Sequence, residues 1–240
     1  MIVSEIMTTG LVTVAPDDTL SHAANQLRQH QIHHLPVVRH AHTTDEVHKS
    51  LLLLEGMLTS QDIDLAAALE KQSSSSEVLR RPWQEQRVVE VMHRATIRVT
   101  PTTNVAAAAQ ILVERGLNYL PVVEYEYAEN ETQTVLVGLI TRSDLLIALA
   151  RSMGAFEPGM QLTIPIPSGN LTPLAQTLLL ATELHVQVRS VTAAPLEGGV
   201  PHTATLRLGT INPAPLLVRL QGANIDYTFA DLLAEDDIHV

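Results

Sequence analysis

The 240-residue chain contains no cysteine, which removes disulfides, thiolate-ligated metals and thiol nucleophiles from consideration. Aromatic residues are scarce, at 3% with a single Trp, so the cores must be built from Ala, Leu, Val and Ile. A hydrophobic content of 45% is sufficient for that, and it suits small, tightly packed α/β units. Basic residues are also few: 15 Lys and Arg stand against 26 Asp and Glu, for a net charge of −11. Such a surface repels a phosphate backbone, and the densest basic pair, Arg80-Arg81, is followed by Glu85. Polynucleotide binding is therefore not expected. A small phosphorylated ligand needs only a few local cations and remains open. No run reaches the roughly 18 apolar residues that cross a bilayer, and residues 1–5 lack the basic and apolar regions of a signal peptide. The expectation is a cytoplasmic protein with no membrane partner. Gly-x-Ser-x-Gly and Walker-type loops are missing too, so no catalytic residue is assigned and an enzyme is not expected.

What is present is a duplication. Glu5-Ile6-Met7 is matched by Glu90-Val91-Met92, and Val12-Thr13-Val14-Ala15-Pro16 by Ile97-Arg98-Val99-Thr100-Pro101, both at a shift of 85. Leu20, Ala23, Ala24 and Leu27 correspond in the same register to Val105, Ala108, Ala109 and Leu112. Each quartet falls at i, i+3, i+4, i+7, one apolar face of a helix. Leu35-Pro36-Val37-Val38 corresponds to Leu120-Pro121-Val122-Val123, after which a polar loop three residues shorter in the second copy changes the shift to 82. Fixed-period self-similarity of this length marks an internal repeat.

Each copy predicts the order β-α-β-β-α. A short extended piece ends at Pro16 or Pro101, and a helix covers 18–30 or 103–115. Strands follow at 35–38 and 51–58, or at 120–123 and 135–140, joined by charged loops that read as solvated hairpin connections. The later strands are nearly continuous apolar runs, as expected when both faces are covered. Each closing helix opens on a repeated motif, Gly56-Met57-Leu58-Thr59-Ser60-Gln61-Asp62 and Gly138-Leu139-Ile140-Thr141-Arg142-Ser143-Asp144. A Thr followed three residues later by an acid can be a helix cap with a capping box. The same hydroxyl and carboxylate can equally bind a ribose diol or a phosphate at a helix start. The boundaries expected from this reading are a first repeat at 1–70, a linker at 71–87 containing four serines and Trp83, and a second repeat at 88–152. Trp83 could pack onto either repeat.

A tandem β-α-β-β-α unit with a Pro-ended first strand, a Leu-Pro-Val-Val strand and a Gly-φ-φ-Thr-x-x-Asp motif resembles the cystathionine-β-synthase (CBS) domain, and two in tandem resemble the CBS pair, or Bateman module. The resemblance covers about residues 1–150. It implies a pseudo-two-fold pair with two clefts that take adenosine-containing ligands such as AMP, ADP, ATP or S-adenosylmethionine. It also implies that Thr59 and Asp62, and Thr141 and Asp144, face ribose and phosphate. The nucleotide-binding candidates are Thr13, Val14, His34, Leu35, Pro36, Thr59 and Asp62 with the first repeat, and Arg98, Val99, Tyr119, Leu120, Pro121, Thr141, Arg142 and Asp144 with the second. The ligand is regulatory, and no cofactor is required.

The two sites differ in charge. Arg142 lies inside the second motif, where the first has Ser60 and Gln61, and Arg94 and Arg98 replace Thr9 and Thr13. The cleft using Thr141, Arg142 and Asp144 is expected to be the better anion site, unless these arginines are solvated surface charges. Seven of the 11 histidines precede residue 49, at 22, 30, 33, 34, 40, 42 and 48. His40, His42 and His48 share one loop, but the spacing fits no zinc pattern and no metal ligand is assigned.

After Arg151 the repeat stops. Strands are expected at 160–166, 185–191, 202–208 and 225–229. Helices are expected from the face Leu171, Leu174, Ala175, Leu178, with Pro173 tolerable in the first turn, and at 213–220. The order β-α-β-β-α-β is the ferredoxin-like arrangement. With Pro167-Ser168-Gly169-Asn170-Leu171 after the first strand, residues 158–240 resemble an ACT domain. That family pairs edge to edge and binds amino acids at the strand-to-helix loop, here Gly169 and Asn170. The acidic residue often found before the loop is absent, so dimerisation alone is an equal reading. A CBS pair followed by an ACT-like domain is similar in architecture to the bacterial acetoin-utilisation regulatory protein type. The functional expectation is a nucleotide-sensing regulatory protein, a homodimer acting on a partner protein. The alternatives are a scaffold that binds nothing, or an enzyme acting on a small phosphorylated or amino-acid substrate.

Overall fold

The structure is a computed structural model that describes residues 1–42, 50–72, 81–95, 97–128, 131–193, 199, 202–210 and 212–230. His48, the serines at 73–76 and residues 231–240 lie outside the described residues. The chain divides into two compact units, Met1–Leu145 and Leu146–Val240. No helix among the described residues is long and apolar enough to cross a membrane.

The first unit holds α1 (Leu20–His30), β1 (His34–His42), β2 (Ser50–Thr59), α2 (Ser60–Gln72), α3 (Val105–Glu114), β3 (Tyr119–Ala128) and β4 (Glu131–Thr141), and α4 (Arg142–Ser152) begins at its end. The duplication is visible in the register. His34 pairs with Thr59 and Tyr119 with Thr141, and both hairpins carry a bulge at the matching position, Val37/Val38 and Val122/Val123. The hairpin strands run past the apolar stretches because main-chain pairing does not require apolar side chains. The hairpins join through β2 and β4 into one sheet of order β1-β2-β4-β3.

Capping fixes where the helices begin. Thr19 Oγ1 accepts from the His22 N–H at α1, and Asn104 Oδ1 accepts from Ala106 N–H at α3. Both helices end on a left-handed residue at matching positions, Gln31 (φ 54°) and Gly116 (φ 64°). The expected helix faces are inward: Leu20, Ala23 and Leu27 pack with Leu35, Val37, Leu58 and Ile63, while Ala108 and Leu112 pack with Leu120, Val122 and Ile140.

Each half's core is completed by the other half's leading segment. Val3 is buried against Val99, Ala108 and Leu120, and Val88 against Val14, Leu20 and Leu58. Backbone bonds follow the same exchange: Val3 N–H to Thr103 O and Ser4 N–H to Pro101 O on one side, Val88 N–H to Asp18 O and Val89 N–H to Pro16 O on the other. Trp83 packs on the first half's core, and its backbone N–H donates to Glu70 Oε2.

The exchange explains the glycine of the repeated motif. A Cβ on Gly56 would lie 2.6 Å from the His93 carbonyl oxygen, and one on Gly138 would lie 2.6 Å from Met7 Sδ. The other half's leading segment crosses at that point, against backbone at Gly56 and against the Met7 side chain at Gly138, and glycine leaves room for it.

The second unit contains β5 (Met160–Pro165), α5 (Thr172–Glu183), β6 (Val188–Thr192), β7 (Thr203–Leu208), α6 (Ala214–Gly222) and β8 (Thr228–Ala230). Its antiparallel sheet has the order β6-β7-β5-β8. Leu162, Ile164, Leu206 and Leu208 meet Ala181, Leu216 and Leu220 in one core. Strand β6 starts three residues later than the alternation suggests, because His185 takes a left-handed conformation (φ 55°) just after α5. Ile225 is buried in the core, although β8 begins only at Thr228.

Candidate functional site

Each repeated motif sits where a strand runs directly into a helix, β2 into α2 and β4 into α4. In the first copy, Asp62 Oδ2 accepts from Thr59 N–H (2.8 Å) and Thr59 Oγ1–H (2.7 Å), and Thr59 Oγ1 accepts from Asp62 N–H (3.3 Å). In the second copy the same three bonds link Thr141 and Asp144 at 2.8, 2.8 and 3.2 Å. The cap is therefore real in both copies. It engages one carboxylate oxygen and leaves the other, Oδ1, available.

The two copies differ at that second oxygen. Asp62 Oδ1 accepts from His93 Nε2–H at 2.7 Å. Asp144 Oδ1 has no hydrogen-bond partner among the described residues. Asp144 lines a cleft of about 510 Å³, within the size range of small-molecule sites. Leu11, Val12, Ile32, Pro36 and Leu139 supply apolar walls. Thr8, His33, His34 and Asn118 add polar edges, and Thr141, Arg142, Ser143 and Asp144 present the start of α4. A helix N-terminus with a hydroxyl and a free carboxylate oxygen can hold an anion and a vicinal diol together.

The cleft draws on both halves, a consequence of the exchanged leading segments. Residues Thr8 to Val12 enter beside β4, since Thr8 N–H donates to Leu139 O and Leu139 N–H to Thr8 O. The sequence candidates His34, Pro36, Thr141, Arg142 and Asp144 thus come together, joined by Leu11, Val12 and Ile32. Other candidates lie elsewhere. Val14, Leu35, Val99 and Leu120 are core residues, and Val14 and Val99 pair in parallel with Val37 and Val122. Pro121 is buried opposite Leu139 on β4, and Thr13 is half-buried. Arg98 donates to Thr134 Oγ1 at 3.3 Å and lies 5.7 Å from the Tyr125 ring centre. Arg142 lines the cleft, but its Nε–H donates to Leu117 O (2.7 Å) and its Nη2–H to Leu112 O (3.2 Å), at the end of α3.

His34 and Tyr119 occupy matching places in the two copies and pack ring against ring. Burial pushes the His34 imidazole below its usual value, helped by His33 and opposed by the Asp62 charge. Burial also pushes the Tyr119 phenol up, and Asp62 adds to this. Both rings are therefore held neutral at the centre of the pair.

In the second unit Gly169 takes a left-handed conformation (φ 75°), and Asn170 Oδ1 accepts from Thr172 N–H at the start of α5. Among the described residues, no group of three or more His, Asp or Glu is arranged to hold a metal ion.

Two α-β-β-α halves, each preceded by an extended segment that bridges its first strand in parallel (Val14 to Val37, Val99 to Val122), share one sheet and complete each other's cores. They define a CBS pair, and the CBS-domain family model matches residues 3–68 and 88–151. The chain belongs to the CBS-domain family. Among its relatives, the CBS domain-containing protein YhcV of Bacillus subtilis is 27% identical over 145 residues, 60% of this chain and 83% of that protein. The structure of CBSX2 in complex with AMP is 22% identical, with a TM-score of 0.44 over 62% of this chain and 96% of that one. The CBS-domain pair of protein MJ0100, in complex with 5′-methylthioadenosine and S-adenosyl-L-methionine, is 24% identical, with a TM-score of 0.45 over 63% of this chain and 97% of that one.

Proposed function

We propose that the chain is a regulatory protein that senses an adenosine-containing nucleotide, AMP, ADP, ATP or S-adenosylmethionine, in a cleft of its CBS pair. One observation carries this reading: the Asp144 Oδ1 atom without a partner, beside the Thr141 hydroxyl and the start of α4, in a cleft with an apolar wall. The carboxylate accepts both ribose hydroxyls and the apolar wall takes the base. Arg142 adds positive charge toward the phosphates, although two of its N–H groups hold the end of α3. The fold provides two halves whose arrangement a ligand biases by its differential affinity, and no more than that.

The CBS domains are read as 1–70 and 88–152, with a linker at 71–87. Residues 158–240 are read as a ferredoxin-like, ACT-like domain, a reading supported by the strand order β6-β7-β5-β8 with two helices packed on the sheet. Its role is dimerisation or the response to a small ligand at Gly169 and Asn170. Exposed apolar side chains at Leu65 on α2 and at Leu146 and Leu149 on α4 support a homodimer. The protein works in the cytoplasm through a partner protein, without chemistry of its own.

The test is a thermal-shift and calorimetric titration with the four nucleotides. A ligand selective for the folded state stabilises it by about 2.7 kcal/mol at a hundredfold excess over Kd. A shift with one nucleotide that disappears in Asp144→Ala supports the reading. No shift with any of them favours a scaffold, in which Thr59-Asp62 and Thr141-Asp144 are caps alone.

A further inference from the structure

His93 and Thr8 stand at matching places in the two leading segments, 85 residues apart. Their backbones dock identically: His93 exchanges two hydrogen bonds with Met57, and Thr8 exchanges two with Leu139. The side chains do not do the same thing. Thr8 lines the open cleft beside Asp144, whereas His93 reaches over the first motif and donates from Nε2 to Asp62 Oδ1 at 2.7 Å.

We propose that His93 is an internal competitor that keeps the Asp62 site from taking a nucleotide, so that the CBS pair fills one site per chain, the one at Asp144. This rests on the nucleotide reading above. Both carboxylates give Oδ2 to their capping threonine, so Oδ1 is the atom that remains for a ribose diol. At Asp62 an imidazole N–H already stands where a ribose hydroxyl would donate.

The two partners differ in exposure. The Asp62 side chain is 12% exposed and lies beneath, whereas the His93 side chain is 68% exposed and lies above it. His93 can therefore swing away without disturbing the core. A ligand arriving at Asp62 must first displace it, and its apparent Kd rises as the reciprocal of the fraction of molecules in which the imidazole has swung away. If His93 is displaced in about one molecule in ten, the penalty is about tenfold.

The test is calorimetric titration of the full chain with AMP, ADP, ATP and S-adenosylmethionine, with sites per chain counted for wild type, His93→Thr and His93→Ala. His93→Thr installs the residue found at the matching place in the other leading segment, and His93→Ala only removes the imidazole. The docking of residue 93 on Met57 is made by backbone, and circular dichroism with melting curves checks that both variants fold. The expected result is one site per chain in wild type and two in each variant. Two equal sites in wild type, or a single site in both folded variants, overturns the competitor role and leaves the nucleotide reading standing. Binding to the variants but not to wild type supports the competitor role and overturns the assignment of the open cleft. No binding to any of the three proteins overturns both.

Discussion

His34 and Tyr119, equivalent residues of the two halves, meet at the centre of the CBS pair with ring centres 4.6 Å apart and planes inclined at 55°. Their protonation behaviour sets a pH window for the fold. His34 is held below its ordinary value of 6.5, chiefly by burial. As pH falls through about 6.5, the unfolded chain takes up this proton before the folded one does, so stability falls and then levels off. Tyr119 is held above its ordinary value of 10.0. As pH rises past about 10, the unfolded chain loses that proton first, and stability falls again. Urea midpoints of wild type should drop more between pH 7.5 and 5.5 than those of His34→Phe, which keeps a ring and removes the titration. Equal slopes would sink the assignment.

Gly56 and Gly138 are equivalent in sequence but not in what they face. Alanine at 56 puts its Cβ against the His93 carbonyl, which is backbone and cannot turn aside. Alanine at 138 meets first the far end of Met7, which can move, although Thr8 O is also near, at 3.2 Å. Gly56→Ala should cost about 1–3 kcal/mol and Gly138→Ala clearly less. Differential scanning calorimetry of the two variants side by side decides this, and equal losses would count against the contact.

Gln31 pays for a left-handed conformation that its counterpart Gly116 adopts freely. Gln31→Gly should therefore raise stability by about 0.5–1 kcal/mol, and Gly116→Gln should lower it by a similar amount. A fall in the denaturation midpoint of Gln31→Gly would contradict this.

The relation between His93 and Thr8 should also work in reverse. Thr8→His places an imidazole beside Asp144, and nucleotide binding at the open cleft should weaken at least tenfold, given that a hydrogen bond to a charged group is worth about 1.5–3 kcal/mol. A Kd equal to that of wild type in calorimetry would show that the imidazole does not reach Asp144.

The duplication, the α-β-β-α order and the inward helix faces are legible in the sequence, because burial imposes a period and a repeat at a shift of 85 displays it twice. Leu20, Ala23 and Leu27 are legible for that reason. The leading piece expected as a strand in each copy is an extended segment with a single bridge, at Val14 and at Val99. The exchange of leading segments is not legible. Glu5-Ile6-Met7 and Glu90-Val91-Met92 keep the same shift whichever half each one docks on, so the repeat cannot show which core Val3 or Val88 completes. The cleft is therefore half legible: Thr141, Arg142 and Asp144 belong to the repeated motif, whereas nothing in the sequence marks Thr8, Leu11 and Ile32 as their neighbours. For Arg142 the sequence shows only the charge. Its bonds to Leu112 O and Leu117 O depend on where α3 ends in space, which no local pattern records. The contact between His93 and Asp62 joins residues 31 apart, and an isolated His after Val-Met carries no signal that it will face a carboxylate.

The crossed leading segments tie the two halves into a single mechanical object. Residues 1–72 by themselves lack Val88, and residues 88–145 by themselves lack Val3, so each half expressed separately is missing part of its own interior. The backbone that crosses Gly56 comes from the second half, and the backbone that crosses Gly138 comes from the first. A ligand that shifts one motif therefore pushes on main chain belonging to the opposite half. The segment that meets β4 at Leu139 is the same one whose Val3 lies in the core under α3, so a displacement at Thr141–Asp144 meets main chain anchored in that core.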